Sequence, residues 1–405
     1  MVRLAAAAAV VLVLTAAGSG QQVLPRVAPS AVALEPAVLD EATALLAQFV
    51  AERKIAGAVA AVARNGRVGY LQAVGVQDLA TRVPMTARSL FRIYSMAKPV
   101  TAVAVMMLLD EGKFRLDEPV QKYLPEFAAV QVVDAPGQAP RKPARPITIE
   151  DLLLHTSGLS HRTSELYRTL GVRSRADSLP EFIGKITRAP LMEDPHTRFR
   201  YSEATTVLGR LVEVWSGQPF DVFLERRVFQ PLGMTDTVFV VDPGRRDRLA
   251  SVYGPGQEGG LVPVETESLP FTERPRLLEG AVGLVSSVPD YLRFSQMLLD
   301  KGALGGTRLL QAATVERMTA NGLPEETLTA RCGRMGWGLG NVNVLMDATG
   351  GDASAGEYGW DGTAGTIFWV DPQKHTVVVL MTQSFPANPD GLRQKFKAIV
   401  QRAIR

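Results

Sequence analysis

The sequence predicts a two-lobed α/β protein: a mostly antiparallel sheet carrying the N- and C-terminal helices, with a helical lobe inserted between its halves. Three observations lead there. The chain opens on a helical pattern followed by a hairpin, runs through a long block of helical periodicity, and returns to strands before a closing helix. A length of 405 residues, 46% hydrophobic and 21% charged, is enough for two packed lobes and excludes a disordered chain.

The first residues, MVRLAAAAAVVLVLTAAGSGQQ, place Arg3 before an apolar run from Leu4 to Ala17 and a small-residue zone at Ala16-Ala17-Gly18-Ser19-Gly20. This is the pattern of an export signal over 1–20. The run is shorter than the roughly 20 residues that span a bilayer, so no membrane span is expected after cleavage. The mature protein is expected in the periplasm or the medium, and 21–35 as a linker. Residues 36–54 bring Leu39, Leu45, Leu46, Phe49 and Val50 onto one helical face. AGAVAAVARNGRVGYLQAVG then holds two strands around Asn65-Gly66, a strong hairpin signal. A helix follows over about 95–111, and five prolines between 125 and 146 mark a loop. From Ile147 to about Asp236, TIEDLLLH, SLPEFIGKI, SEATTVLGRLVEVW and DVFLERRVF read as helices. WGLGNVNVLM, TIFWVD and HTVVVLMT read as strands, and 390–404 as the last helix. The sheet lobe is therefore drawn from 36–94 and 276–405, the mainly helical lobe from 95–275, with the active site between them.

Basic and acidic residues nearly cancel, at a net charge of +3, so nothing marks a nucleic-acid binder. A single cysteine, Cys332, read as a small buried residue, excludes an intrachain disulfide and any cysteine-based metal cluster. His155, His161, His196 and His375 show no metal-ligand spacing and read as structural. There is no G-x-S-x-G and no Gly-rich phosphate loop.

What remains is Ser95-Met96-Ala97-Lys98, a spacing weak in isolation. The following VTAVAVMMLL is apolar all round, as in a core helix. Pro99 is tolerated only in a first helical turn, so that helix starts close to Ser95. Ser95 then sits at the positive helix end with Lys98 on the same face one turn on. A buried lysine has a lowered pKa and can act as the neutral base that activates a serine. The alternative is an N-capping Ser95 and a snorkelling Lys98. Arg198-Phe199-Arg200-Tyr201-Ser202-Glu203 precedes another helix and can point the Tyr201 hydroxyl at the same cleft, although Ser202 and Glu203 also suit a simple cap. Tyr358-Gly359-Trp360-Asp361-Gly362-Thr363-Ala364-Gly365-Thr366 either admits a ligand close to its backbone or is an ordinary Gly-rich hairpin.

Together and in this order, the three features resemble the serine β-lactamase and penicillin-binding-protein superfamily, nearest its class C-like branch with the family VIII carboxylesterases. LFRIYSMAKPVTAVAVMMLLDEGK, ITIEDLLLHTSGL, FRYSEATTVLGRLVEVWSGQPFDVFLERRVFQPLGMTDT and GAVGLVSSVPDYLRFSQMLL extend the resemblance over roughly 36–400. It implies the β-lactamase-like two-lobe fold, with Ser95 as the acylated nucleophile, Lys98 as its base and Tyr201 as the proton partner. It also implies an oxyanion hole from the backbone N–H groups of Ser95 and Thr363, and no metal or organic cofactor.

Two departures bear on substrate. Glu203 stands where β-lactamases usually carry Asn, and can repel an anion or pair with Lys98. Trp360-Asp361-Gly362 replaces a motif led by Lys or His, as in the family VIII esterases, with Asp361 adding negative charge. With Trp360, Asp361, Gly362 and Glu203 taken as substrate-binding, the site suits a small neutral ester. A β-lactamase or D-alanyl-D-alanine carboxypeptidase, a non-catalytic β-lactam sensor, and an acyltransferase remain the alternatives; the oligomeric state is open.

Overall fold

The computed structural model describes residues 24–135, 137–257, 259–330, 334–348 and 353–405. The export signal and Cys332 lie outside the described residues. Strands β1 (Gly57–Arg64) and β2 (Arg67–Gly75) form the expected hairpin, and Asn65 and Gly66 take φ of 51° and 71°, as its tight turn requires. Near the other end run β3 (Met335–Gly338), β4 (Val342–Leu345), β5 (Tyr358–Asp361), β6 (Ile367–Asp371) and β7 (Thr376–Thr382). All seven join one antiparallel sheet in the order β2-β1-β7-β6-β5-β4-β3. The first strands therefore pair with the last, from Ala58 opposite Thr382 to Arg64 opposite Thr376.

The principal helices are α1 (Pro36–Ala51), α2 (Ala97–Asp110), α3 (Ala204–Ser216), α4 (Val288–Leu299) and α5 (Leu392–Ala403). Strand side chains alternate between two cores. Ala58, Ala60 and Val62 of β1 join Val378 and Leu380 of β7 beneath α1 and α5. Val59, Ala61 and Ala63 join Val377, Val379 and Met381 on the opposite face, with α4 and the wholly buried α2. Burial on both faces is why these strands read as unbroken apolar runs although the sheet is antiparallel. The architecture is the expected β-lactamase-like mixed α/β fold.

One local expectation is corrected and two gain detail. Residues 24–35 are not a free linker: Arg26 bridges to Val68, Leu34 bridges to Ile404, and Val32 and Leu34 are buried. The Pro-rich loop is pinned, because Arg141 bonds both Asp134 and Asp194 and pairs its backbone with Val132. Within the stretch expected to be mainly helical, Tyr253–Pro255 and Leu261–Pro263 form a small hairpin.

Phe396 of α5 is fully buried and meets Trp369 edge-on at 6.4 Å. Phe396→Ala is expected to lower stability by about 3–5 kcal/mol, measured as a reduced urea midpoint with an unchanged slope.

Candidate active site

Ser95 lies in a 3₁₀ turn, Tyr94–Met96, that runs directly into α2. Tyr94 holds a left-handed φ of 43°, an uncommon and strained conformation for a side-chain-bearing residue. Tyr291 of α4 donates to the Met96 carbonyl at 2.7 Å and ties the turn to the helix against the sheet. Lys98 is 0% exposed, so the snorkelling alternative fails: there is no surface to reach. Its Nζ donates to Ser95 Oγ at 3.4 Å and to the Ala281 carbonyl at 3.1 Å, and sits 4.5 Å from the centre of the Tyr201 ring. Burial pulls the Lys98 pKa down, the Glu203 charge opposes it, and the net value is about 7. Ala281 belongs to a segment packed tightly on α2. A Cβ on its neighbour Gly280 would meet Thr205 O at 2.8 Å and Thr101 Oγ1 at 2.9 Å.

Tyr201 reaches the same point from just before α3. Its hydroxyl accepts from Trp360 Nε1 at 3.0 Å. Burial pushes its pKa up, while hydrogen bonds with Ser95 and Trp360 act the other way. Its ring is held in an aromatic box: His155 at 4.9 Å, Trp360 at 5.2 Å and Trp337 at 6.0 Å, with His161 stacked at 5.6 Å. His155 Nδ1 in turn meets Ser202 Oγ at 3.1 Å. Burial lowers the His161 pKa to about 4, so that ring is neutral at pH 7. The structural reading of His155 and His161 therefore needs refining, since both orient Tyr201. Ser202 is not the N-cap of α3; that position falls to Glu203, whose side chain caps nothing.

Glu203 is 0% exposed; Oε2 accepts from Thr206 Oγ1 at 3.2 Å, and Oε1 has no hydrogen-bond partner among the described residues. Burial raises its pKa, but the charges of Lys98, Arg162 and Arg173 help outweigh it and leave the carboxyl below its ordinary value. The expected link to Lys98 thus acts through charge rather than through a contact hydrogen bond. Asp361 adds its negative charge to the site, where it acts on Lys98 and Tyr201, but it is also paired. Arg393 of α5 pairs with it and also donates to the carbonyls of Gly362 at 2.8 Å and Thr366 at 3.1 Å. Gly362 has no room for a side chain, because a Cβ would lie 2.4 Å from Ile93 O and 2.3 Å from Thr366 Oγ1. That close approach brings the turn carrying Thr363 against the segment that carries Ser95.

A cavity of about 540 Å³ opens beside this junction, walled by Tyr94, Thr363 and Ala364 on one side and by Arg162, Arg173 and Glu267 on another. Ser95, 7% exposed, lies immediately behind Tyr94. None of the expected substrate-binding residues lines this space, although Thr363 of the expected oxyanion hole does; Trp360 and Asp361 line a separate pocket with Lys397. Residues 264–267 contribute to the wall and the Pro-rich loop does not. Among the described residues no His, Cys, Asp or Glu cluster is arranged to hold a metal ion, and no helix is long and apolar enough to cross a membrane.

A serine under a buried amine, faced by a tyrosine and a Gly-rich strand end on this fold, is the arrangement of a β-lactamase-like serine hydrolase. The β-lactamase family profile matches residues 42–401, and the chain belongs to that family. It is similar to esterase EstB of Burkholderia gladioli, 32% identical over 383 residues that cover 88% of this chain and 93% of the relative. It is also similar to penicillin-binding protein 4 of Amycolatopsis lactamdurans, 34% identical over 340 residues, or 82% and 81% of the two chains. Among solved structures, EstCE1, a hydrolase with promiscuous acyltransferase activity, matches with a TM-score of 0.79 at 28% identity, over 91% of this chain and 98% of that one.

Sequence reasoning missed Ala281, Trp337, Arg162 and Arg393 as parts of the site. Their roles come from contacts across the fold, and no local spacing marks them. Gly362→Ala is expected to cost about 1–3 kcal/mol through overpacking and to pry the Thr363 turn from Ile93. Its signature is a lowered melting temperature together with a loss of acylation rate.

Proposed function

We propose that this protein is a serine carboxylesterase that cleaves short-chain acyl esters through an acyl-Ser95 intermediate. The observation that carries the reading is the Lys98 amine, wholly buried, 3.4 Å from the Ser95 hydroxyl and with a pKa of about 7. Neutral Lys98 takes the Ser95 proton as Oγ attacks the ester carbonyl. The backbone N–H groups of Ser95 and Thr363 receive the developing oxyanion. Tyr201, hydrogen-bonded with Ser95 and recharged by Lys98, passes a proton to the departing alkoxide. Water then attacks the acyl-serine, its proton returns through the same pair, and the acid leaves. No step calls on a metal or an organic cofactor.

Trp360 supports the ester reading, because it presents an indole where β-lactamases carry a cation and commits its N–H to Tyr201. Esterase EstB, similar along nearly its whole length, points the same way. Similarity to penicillin-binding protein 4 favours the second reading, acyl transfer from a β-lactam or a D-alanyl peptide. On the strength of residues 1–20 alone, the proposal places the mature chain in the periplasm or the medium.

Hydrolysis of p-nitrophenyl butyrate beside a chromogenic cephalosporin tests the choice. Ester turnover that falls on the order of 10⁴-fold or more in Ser95→Ala, with little cephalosporin opening, is the expected result. Efficient cephalosporin opening without ester turnover, or ester turnover that survives Ser95→Ala, overturns it. The pH profile supplies a further check. Only the neutral amine is a base, and its fraction grows as pH rises through its pKa. The acylation rate should therefore climb tenfold per unit below about pH 7 and level off above it. Glu203 favours the protonated amine, so Glu203→Gln should move the inflection to lower pH. An inflection that stays in place assigns the limb to another group.

A further inference from the structure

The cavity beside Ser95 is lined by three arginines, Arg162, Arg168 and Arg173, against two glutamates, Glu265 and Glu267. The arginines are not equally committed. Arg173 is held between two carboxylates: its Nε and Nη2 donate to Glu279 at 2.5 and 2.7 Å, and Nη2 also donates to Glu267 Oε2 at 2.8 Å. Arg162 is left with one long contact, 3.5 Å to the other oxygen of Glu267, and its guanidinium lies 5.7 Å from the centre of the Tyr94 ring. Its side chain is only 13% exposed. A guanidinium presents five N–H donors in a planar fork, and most of those on Arg162 have no protein acceptor among the described residues while the side chain lines the cavity, where a ligand can take them. A charged donor set so little used by the protein, on the wall of a cavity, is placed to bind a ligand that supplies the acceptors.

The position of Arg162 connects it to the chemistry. It shares the cavity wall with Tyr94 and Thr363, and its charge is felt at Lys98, Glu203 and His161. A group bound there is within the length of a small acyl or alcohol chain of Ser95. The negative charges read from the sequence as repelling an anion are each engaged by cations, Asp361 by Arg393 and the buried Glu203 by Lys98, Arg162 and Arg173. We propose that Arg162 is a specificity residue that binds a carboxylate carried by the substrate, so that the preferred esters are half-esters or other esters bearing a distal acid group. The fork geometry suits bidentate carboxylate recognition, and the Tyr94 ring against the guanidinium helps fix its plane. The inference rests on the esterase reading and supplies its substrate class.

The test uses isosteres that differ only in the distal charge. Rates are compared for the p-nitrophenyl monoesters of adipate and of adipamate, and adipate and the uncharged adipamide are titrated into the protein by calorimetry. Wild type, Arg162→Gln and Arg162→Lys are run in parallel, with melting curves to establish that each variant is folded. Expected are a tenfold or greater preference for the acid in both kcat/KM and binding, its disappearance in Arg162→Gln, and a partial return in Arg162→Lys. Equal handling of acid and amide by the wild type, or a preference untouched in Arg162→Gln, overturns the proposal while ester turnover itself keeps the esterase reading. If neither ester is cleaved but adipate binds in an Arg162-dependent way, the esterase reading falls and the anion site stands. If neither is cleaved and adipate does not bind, both fall.

Discussion

The structure depends on keeping one amine out of water. An ammonium group at the end of Lys98 has no path to solvent, and removing its charge from water disfavours the protonated form until the pKa approaches neutrality. The surroundings supply only what such an amine needs: the Ala281 carbonyl, the Ser95 hydroxyl, the Tyr201 ring face and the distant charge of Glu203. They come from three stretches of chain far apart in sequence, Tyr201 and Glu203 sharing one. The helix that carries Lys98 is apolar on every side for the same reason, since a core helix is what allows the lysine to be buried at all.

Around that amine the sheet acts as a frame. The end of β5 is pressed onto Ile93 by the absence of a side chain at Gly362, and Arg393 of α5 clamps the same turn from the opposite side through Asp361, Gly362 and Thr366. Tyr291 fixes the far side of the serine turn through the Met96 carbonyl. The strained backbone at Tyr94 is thus held between a strand end, a core helix and the terminal helix. Constraint from several directions is what allows a residue to persist in a sparsely populated conformation.

The distribution of charge separates this site from a plain reading of its motifs. The indole of Trp360 removes the cation from the strand edge and uses its N–H to aim Tyr201, while the cations appear on the other side of the cavity, in the segment from Arg162 to Arg173. Similarity to both esterase EstB and penicillin-binding protein 4 goes with the family's hydrolase fold without choosing the substrate. That choice lies with the cavity wall.

The sequence by itself determined the periodic and local features. The Asn65-Gly66 hairpin, the apolar helix opened by Pro99, the buried strands and the closing helix all carry their signals within a few residues. So do Ser95 and Lys98, because one helical turn sets their spacing. Tyr201 and the Gly-rich turn were legible as candidates only in their order along the chain. Tertiary structure alone decided that Trp360 bonds Tyr201, that Arg393 pairs with Asp361, that Ala281 receives the lysine and that Arg162 faces the cavity. It also turned residues 24–35 from a linker into part of the core. Partners that lie far apart in sequence leave no periodic trace, since what pairs them is the closing of β1 onto β7 and the packing of helices across the sheet.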